Sequence, residues 1–426
     1  MTASVHQTEQ LLFSVLLQLI VMIGAARLMS TVFRRLRQPG VIGEIVAGLL
    51  LGPSLFGHFF PDQSKALFGA TASPAISIIS QIGLCLLMFQ IGADFEFGHL
   101  KAKRNRRSAI LVALVSVFVP FTLGLLIGRT SAATLAPSTD PLTYSLFCGV
   151  ALAITAVPIL GRILREFGLT RTELGVVAIS AAAVNDVIGW VMLAGVSAYA
   201  TARFTLAQMG MQIGGIILLI ILLLVVLRPL AEWLVRQFPV RDSQLAPNLM
   251  AIVLCVIFAL GISTYELGIF TIFGGFAAGL LFHRQTAFVE AWQRQVGQFV
   301  LVFFLPVFFT FTGLRTNILG LTTAAELGWL GIILAAAILG KIVPVYVAGR
   351  LGGFAHDEAM ILGSLMNTRA LMELIVLNIG YDLGFVPAGA FTMLVIMAVV
   401  TTIMTGPLLK ILLPRSGHRI PVGVEA

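Results

Sequence analysis

Apolar positions along this chain fall in blocks, not in stripes. Runs of Ala, Val, Ile, Leu, Met and Phe recur from end to end, each closed by a cluster of Arg, Lys, Pro, Gly or Asn. Apolar blocks of about 20 residues read as membrane-spanning helices, because a rise of about 1.5 Å per residue then covers the roughly 30 Å of bilayer hydrocarbon. The pattern gives thirteen such runs, at 11–30, 40–58, 74–92, 108–128, 141–167, 173–200, 207–230, 246–263, 268–283, 295–313, 327–350, 358–380 and 387–413. The first does not read as a cleavable signal peptide. No basic segment precedes it, and its apolar core exceeds the usual length of about 7–15 residues. The prediction is an all-α polytopic membrane protein of about 13 transmembrane helices.

Composition agrees. Hydrophobic residues make up 58% of the 426 and charged residues 11%, whereas soluble chains carry about 25% charged residues. So few charges cannot cover a water-facing surface. A net charge of +8 raises the question of nucleic-acid binding, and its distribution answers against it. Loops on one side of the predicted membrane hold Arg27, Arg34, Arg35, Arg37, the stretch "KAKRNRR" (101–107), Arg162, Arg165, Arg171, Arg228, Arg236, Arg241, Arg284, Arg294, Arg350, Lys410, Arg415 and Arg419. Loops on the other side hold only Lys65, Arg129, Arg203 and Arg315. This asymmetry is the positive-inside pattern. It predicts an external N-terminus and a cytoplasmic C-terminus, in a plasma (bacterial inner) membrane, with basic loops that meet anionic lipid. Cys85, Cys148 and Cys255 sit in three separate runs without CxxC spacing, so neither a disulfide nor a metal site is expected. The tail beyond the last run is too short for a folded cytosolic domain, and whether a separate regulatory subunit serves instead stays open.

Two short matches suggest an internal repeat. "GEIVAGLLLGP" in the second run and "FGGFAAGLLFHR" in the ninth share "AGLL", which sets Gly48 against Gly279. "MFQIGADF" ending the third run and "FTFTGLRTN" ending the tenth set Gly92 against Gly313. Runs one to six would then repeat as runs eight to thirteen, with 207–230 as a linker helix. An odd number of crossings separates the copies, so the second enters from the opposite face: an inverted repeat, the architecture of many secondary transporters.

Paired interruptions in such a repeat point to the transport site. The fifth run, "FCGVALAITAVPILGRIL", contains Pro158, which removes a backbone donor and clashes with the turn before it. Its partner, the twelfth run "GSLMNTRALMELIVLN", is interrupted by Asn367, Thr368 and Arg369. Five charges fall inside predicted helices: Glu44, Asp186, Lys341, Arg369 and Glu373. A charge near the bilayer centre costs roughly 2.5–3.5 kcal/mol on insertion scales, so each needs a reason. Glu44 lies close to the basic loop and reads as interfacial. Arg369 and Glu373, four residues apart, can pair with each other. Lys341 has no carboxylate within a turn and needs a partner from elsewhere, for which Asp186 is one choice.

Asp186 is the only formal charge between Gly175 and Tyr199. Burial in low dielectric favours the neutral form of a carboxylic acid, so a carboxylate there can hold a proton or a bare monovalent cation, but not both. That competition alone couples the two in opposite directions. Asn185 adds a carbonyl oxygen and Thr155 a hydroxyl, and the ends of half-helices add dipoles. Ion- and proton-binding candidates are therefore Asp186, Asn185 and Thr155. Lys341, Arg369 and Glu373 are supporting charges, and Pro158, Asn367 and Thr368 mark helix breaks. No cofactor is expected beyond the transported Na+ or K+ and H+. A sodium-coupled small-solute symporter of similar inverted-repeat fold is the alternative. An ion channel and an intramembrane enzyme are weaker rivals, and the chain shows neither an HExxH nor a GxGD motif.

The stretches "QPGVIGEIVAGLLLGPSLFG" (38–57), "ALAITAVPIL" (151–160), "AAAVNDVIGW" (181–190) and "GSLMNTRALMELIVLNIG" (363–380) resemble the second family of monovalent cation:proton antiporters, which includes potassium efflux systems and plant cation/proton exchangers. The resemblance implies a homodimer and elevator-type alternating access. It also implies one transmembrane unit over 1–426, with dimerisation or scaffold helices in 1–100 and 246–313 and core transport helices in 108–200 and 327–413. Asp186 matches the family's ion-binding aspartate, Thr155 the unwound stretch of the first crossing helix and Lys341 a core lysine. Asparagine at 185, where electrogenic relatives have a second aspartate, resembles electroneutral exchangers and leaves Lys341 without that partner.

Overall fold

A computed structural model describes residues 2–36, 38, 40–69, 74–94, 103–169, 172–201, 206–240, 244–267, 271–369 and 371–417. Arg37, Arg171, Arg203, Arg241, Arg419 and the loop residues 101–102 lie outside this set, as do the side chains of Asp186 and Pro158, whose backbones are described.

Every regular element among the described residues is helical. In chain order these are α1 (Thr2–Arg35), α2 (Gly40–Leu51), α3 (Phe56–Phe59), α4 (Pro61–Phe68), α5 (Pro74–Ala93), α6 (Lys103–Leu135), α7 (Pro141–Ala153), α8 (Val157–Glu166), α9 (Glu173–Thr201) and α10 (Leu206–Leu222). There follow α11 (Arg228–Gln237), α12 (Pro247–Glu266), α13 (Thr271–Phe282), α14 (Thr286–Trp292), α15 (Leu305–Leu314), α16 (Ala324–Leu351), α17 (His356–Met366), α18 (Leu371–Asp382) and α19 (Ala388–Arg415). Single π-helical turns join α10 to α11 and precede α15. Helix starts follow local chemistry. Proline opens α4, α7 and α12, where its missing N–H has no intrahelical partner to lose. Asp140 caps α7 by accepting from Thr143 N at 2.8 Å and Thr143 Oγ1 at 2.7 Å. Thr323 and Glu326 form a capping box on α16.

Ten spans among the described residues are long and apolar enough to cross a membrane, so the count of thirteen is not confirmed. The runs at 141–167 and 358–380 are each broken into two half-helices, α7 with α8 and α17 with α18, and the run at 268–283 yields only the twelve residues of α13. An apolar run does not reveal whether its hydrogen-bond ladder is continuous.

The chain divides into two units. One comprises Met1–Ile23, Ala70–Glu96 and Ser197–Phe311; the other comprises Gly24–Gly69, Phe97–Val196 and Thr312–Ala426. In the first, α5 and α12 pack on α13. Gly92 and Gly279 let α5 and α13 approach backbone to backbone: a Cβ on Gly279 would lie 2.9 Å from Gly92 Cα. Phe89, Phe282, Phe288 and Trp292 close an aromatic cluster beside that contact. In the second unit, α6 packs on α7 and α16, and α16 on α17 and α19. Here Gly313 meets Gly48, and a Cβ on Gly313 would lie 2.6 Å from Gly48 Cα. Glu44, near the basic loop, is buried in α2 at 4% exposure.

Candidate ion-binding site

Both half-helix pairs of the second unit are separated by a short non-helical stretch, and the two stretches are hydrogen-bonded to each other. α7 ends at Ala153, and its cap Ile154 has extended backbone angles (φ −71°, ψ 145°). Residues 154–156 are unwound, and α8 resumes at Val157 with Pro158 as its second residue. A continuous helix would need an N–H at 158 for the Ile154 carbonyl, and proline has none. On the other chain segment, α17 ends at Met366 and α18 begins at Leu371. Ala156 N donates to Thr368 O at 3.1 Å, and Thr155 Oγ1 donates to Met366 O at 3.2 Å. Each break thus satisfies part of the backbone that the other leaves open, as buried peptide groups require.

Around this crossing the structure gathers several of the sequence candidates. Asn185 of α9 is fully buried. Its Oδ1 accepts from Thr155 N at 3.3 Å, and its Nδ2 donates to Ser116 Oγ at 3.0 Å and to Ala153 O at 3.4 Å. Asp186 follows it in α9. Lys341 of α16 is fully buried, and its Nζ donates to Ala153 O. Arg369, in the second break and not in a helix, donates from Nη1 to Ala151 O at 3.0 Å and from Nη2 to Ala337 O at 3.3 Å. Two cations therefore sit on the last carbonyls of α7, the negative end of its dipole. Arg369 N donates to Thr402 Oγ1 of α19. Arg369 and Glu373 form an ion pair at 3.8 Å with both side chains fully buried. The side chains of Asn367 and Thr368 are fully buried beside the crossing.

The participants not among the sequence candidates are Ser116, Thr402 and the carbonyls of Ala151, Ala153, Ala337 and Met366. Ser116 is a lone hydroxyl in an apolar run, and its only available signal was burial of a polar residue in a predicted span. A backbone carbonyl carries no sequence signal at all. A second polar group lies at the other end of α18, where Arg315 Nη1 donates to Asp382 Oδ1 at 2.6 Å and Asn378 Nδ2 to Thr312 Oγ1 at 2.8 Å.

A polytopic helical protein whose two broken helices cross beneath buried charges invites comparison with known transporters. The transmembrane model of the sodium/hydrogen exchangers matches residues 20–415. The chain belongs to that family. It is an integral membrane protein. The Na(+)/H(+) antiporter NhaS4 of Synechocystis is 37% identical over 411 residues, covering 96% of this chain and 99% of that one. Cation/H(+) antiporter 19 of Arabidopsis thaliana is 32% identical, covering 93% of this chain but 49% of its own length, so the chain spans about half of that longer relative. These family members are transporters by name, not enzymes. The solved structure of the sodium proton antiporter MjNhaP1 from Methanocaldococcus jannaschii superposes with a TM-score of 0.62 over 96% of this chain and 97% of that one. At 16% identity that likeness concerns the fold.

Proposed function

We propose that this exchanger-family chain is a secondary active antiporter that moves a monovalent cation, Na+ or K+, against H+ across a plasma membrane. The observation that carries the reading is the crossing itself. Two unwound stretches meet in the protein interior, Asn185 is bonded into one of them, and the next residue on its helix is the carboxylate Asp186.

Asp186 is the group that takes either ion. Its carboxylate binds a proton or a bare cation, and one charge replaces the other, so a one-for-one cycle leaves the core's net charge unchanged and is electroneutral. Asn185 holds the break in place without titrating. Its Oδ1 uses one lone pair on Thr155 N, and the Thr155 hydroxyl donates to Met366 O, which leaves oxygen lone pairs on both for a partly dehydrated cation. Lys341 and Arg369 offset the negative end of α7 when Asp186 is neutral. Alternating access is of elevator type, the chain works as a homodimer, and its basic loops face the cytoplasm, which places the N-terminus outside. Support for the ion choice comes from the names of the relatives, and support for the topology from the loop charges.

The test is exchange in proteoliposomes with a pH-sensitive dye inside and an imposed proton gradient. Na+, K+ and Li+ are added in turn to wild type and Asp186→Asn. Wild type dissipates the gradient on cation addition, and the variant does not. A wild type that ignores every cation, or a variant as active as wild type, defeats the reading.

A further inference from the structure

Glu373 has no part in the exchange cycle above, yet its setting is unusual for a carboxylate. It lies in the first turn of α18, three residues past the break, with its side chain fully buried. Neither Oε1 nor Oε2 accepts a hydrogen bond among the described residues. Its ion pair with Arg369, at 3.8 Å, is beyond hydrogen-bond length. Arg369 spends Nη1 on Ala151 O and Nη2 on Ala337 O, and its Nε has no partner among the described residues. The guanidinium is therefore fixed by backbone carbonyls and would stay where it is whether Glu373 is ionised or neutral.

The surroundings supply few other charges. α7 and α19 pack against α18. α7 offers Tyr144 and Cys148 but no charged side chain, and α19 carries charge only at Lys410 and Arg415, toward its far end. α16 contributes Lys341, which is fully buried, and the segment before α18 contributes Arg369. Among the described side chains, Glu44 of α2 is the other buried carboxylate, and Asp186 is placed by its backbone in α9. A buried carboxylate held by charge but by no hydrogen bond can gain or lose a proton without breaking a packed network, and that change alters the charge balance of the whole crossing.

We propose that Glu373 is a second proton-binding site of the core, not carried with the cargo, whose protonation leaves Arg369 uncompensated and thereby weakens cation binding at Asp186. This rests on the antiport reading. Acidity then lowers exchange in two separable ways: by direct competition at Asp186, and by neutralising Glu373. The second makes cation affinity respond to pH more steeply than a single competing carboxylate allows. Coulomb's law at an effective dielectric near 20 gives a unit charge an effect on the order of tenfold on a binding constant at a separation on the order of 10 Å.

The experiment measures KM for Na+ and K+ in proteoliposomes across a pH series for wild type, Glu373→Gln and Glu373→Asp. The glutamine variant mimics the protonated state. Its KM should exceed wild type by on the order of tenfold at alkaline pH, converge with it at acid pH, and leave kcat nearly unchanged. The aspartate variant should keep a pH-dependent KM with a shifted midpoint. A glutamine variant with wild-type KM at every pH overturns the proposal, as does an aspartate variant whose profile matches the glutamine one. If the glutamine variant does not fold, an aspartate midpoint identical to wild type overturns it. Asp186→Asn judges the antiport reading separately. Melting of wild type and Glu373→Gln across pH in cation-free buffer judges Glu373 alone: well above the unfolded glutamate value of about 4.3, the difference between the two slopes changes only where Glu373 titrates in the folded protein.

Discussion

Asn185 shows how much one neutral side chain can organise. Its amide links α9 to the unwound stretch through Thr155 N, to the end of α7 through Ala153 O, and to α6 through Ser116 Oγ. Ser116 in turn donates to Ala113 O at 2.9 Å, so its oxygen is oriented to accept from Asn185. Ser116→Ala should remove one buried hydrogen bond, worth about 1 kcal/mol, and free the amide to rotate. The expected result is a KM for the cation raised about fivefold in proteoliposome exchange, with the protein still folded. An unchanged KM would show that Asn185 is held by its other two bonds alone. Sequence made Asp186, Asn185 and Thr155 visible because polar residues stand out in apolar runs. Ser116 did not stand out, since serine in a membrane helix ordinarily satisfies itself on its own backbone.

At the scale of elements, the informative unit is the half-helix. Proline at 158 announced the first break, because its chemistry forbids a continuous ladder. The second break contains no proline, and Asn367, Thr368 and Arg369 were its only sign. That one carries more of the tertiary structure, since Arg369 alone reaches α7, α16 and α19. No periodicity encodes such a junction, which depends on where α7, α16 and α17 place their carbonyls and α19 its Thr402 hydroxyl. α7 is held at its other end by Asp140, whose carboxyl the Thr143 side-chain and backbone bonds keep below the usual carboxylate range. A depressed folded-state value means the cap stabilises above the unfolded value, about 3.9, and is lost as pH falls through the lower folded one. Asp140→Ala should therefore lower stability in detergent melts by roughly 0.5–1 kcal/mol at neutral pH. The gap to wild type should close as the buffer is acidified below about pH 4. A gap independent of pH would mean the effect is not the carboxylate's.

Across the whole molecule, small residues place the helices as firmly as large ones do. The repeat suggested by the sequence aligns Gly48 with Gly279 and Gly92 with Gly313. The observed contacts pair Gly92 with Gly279 in one unit and Gly48 with Gly313 in the other. Exchanging each glycine for its aligned counterpart turns one contact into the other. Small residues at helix interfaces permit this backbone approach within a bilayer. The crossing has a further consequence for how the molecule comes apart. Because Ala156 N is bonded to Thr368 O and Thr155 Oγ1 to Met366 O, loosening one break exposes polar groups of the other, and the four half-helices should open as one cooperative unit. Amide hydrogen exchange should report it: Ala156 and Arg369, far apart in sequence and both outside regular helix, should exchange at matching slow rates. A fast amide at either position would mean that the crossing opens piecemeal.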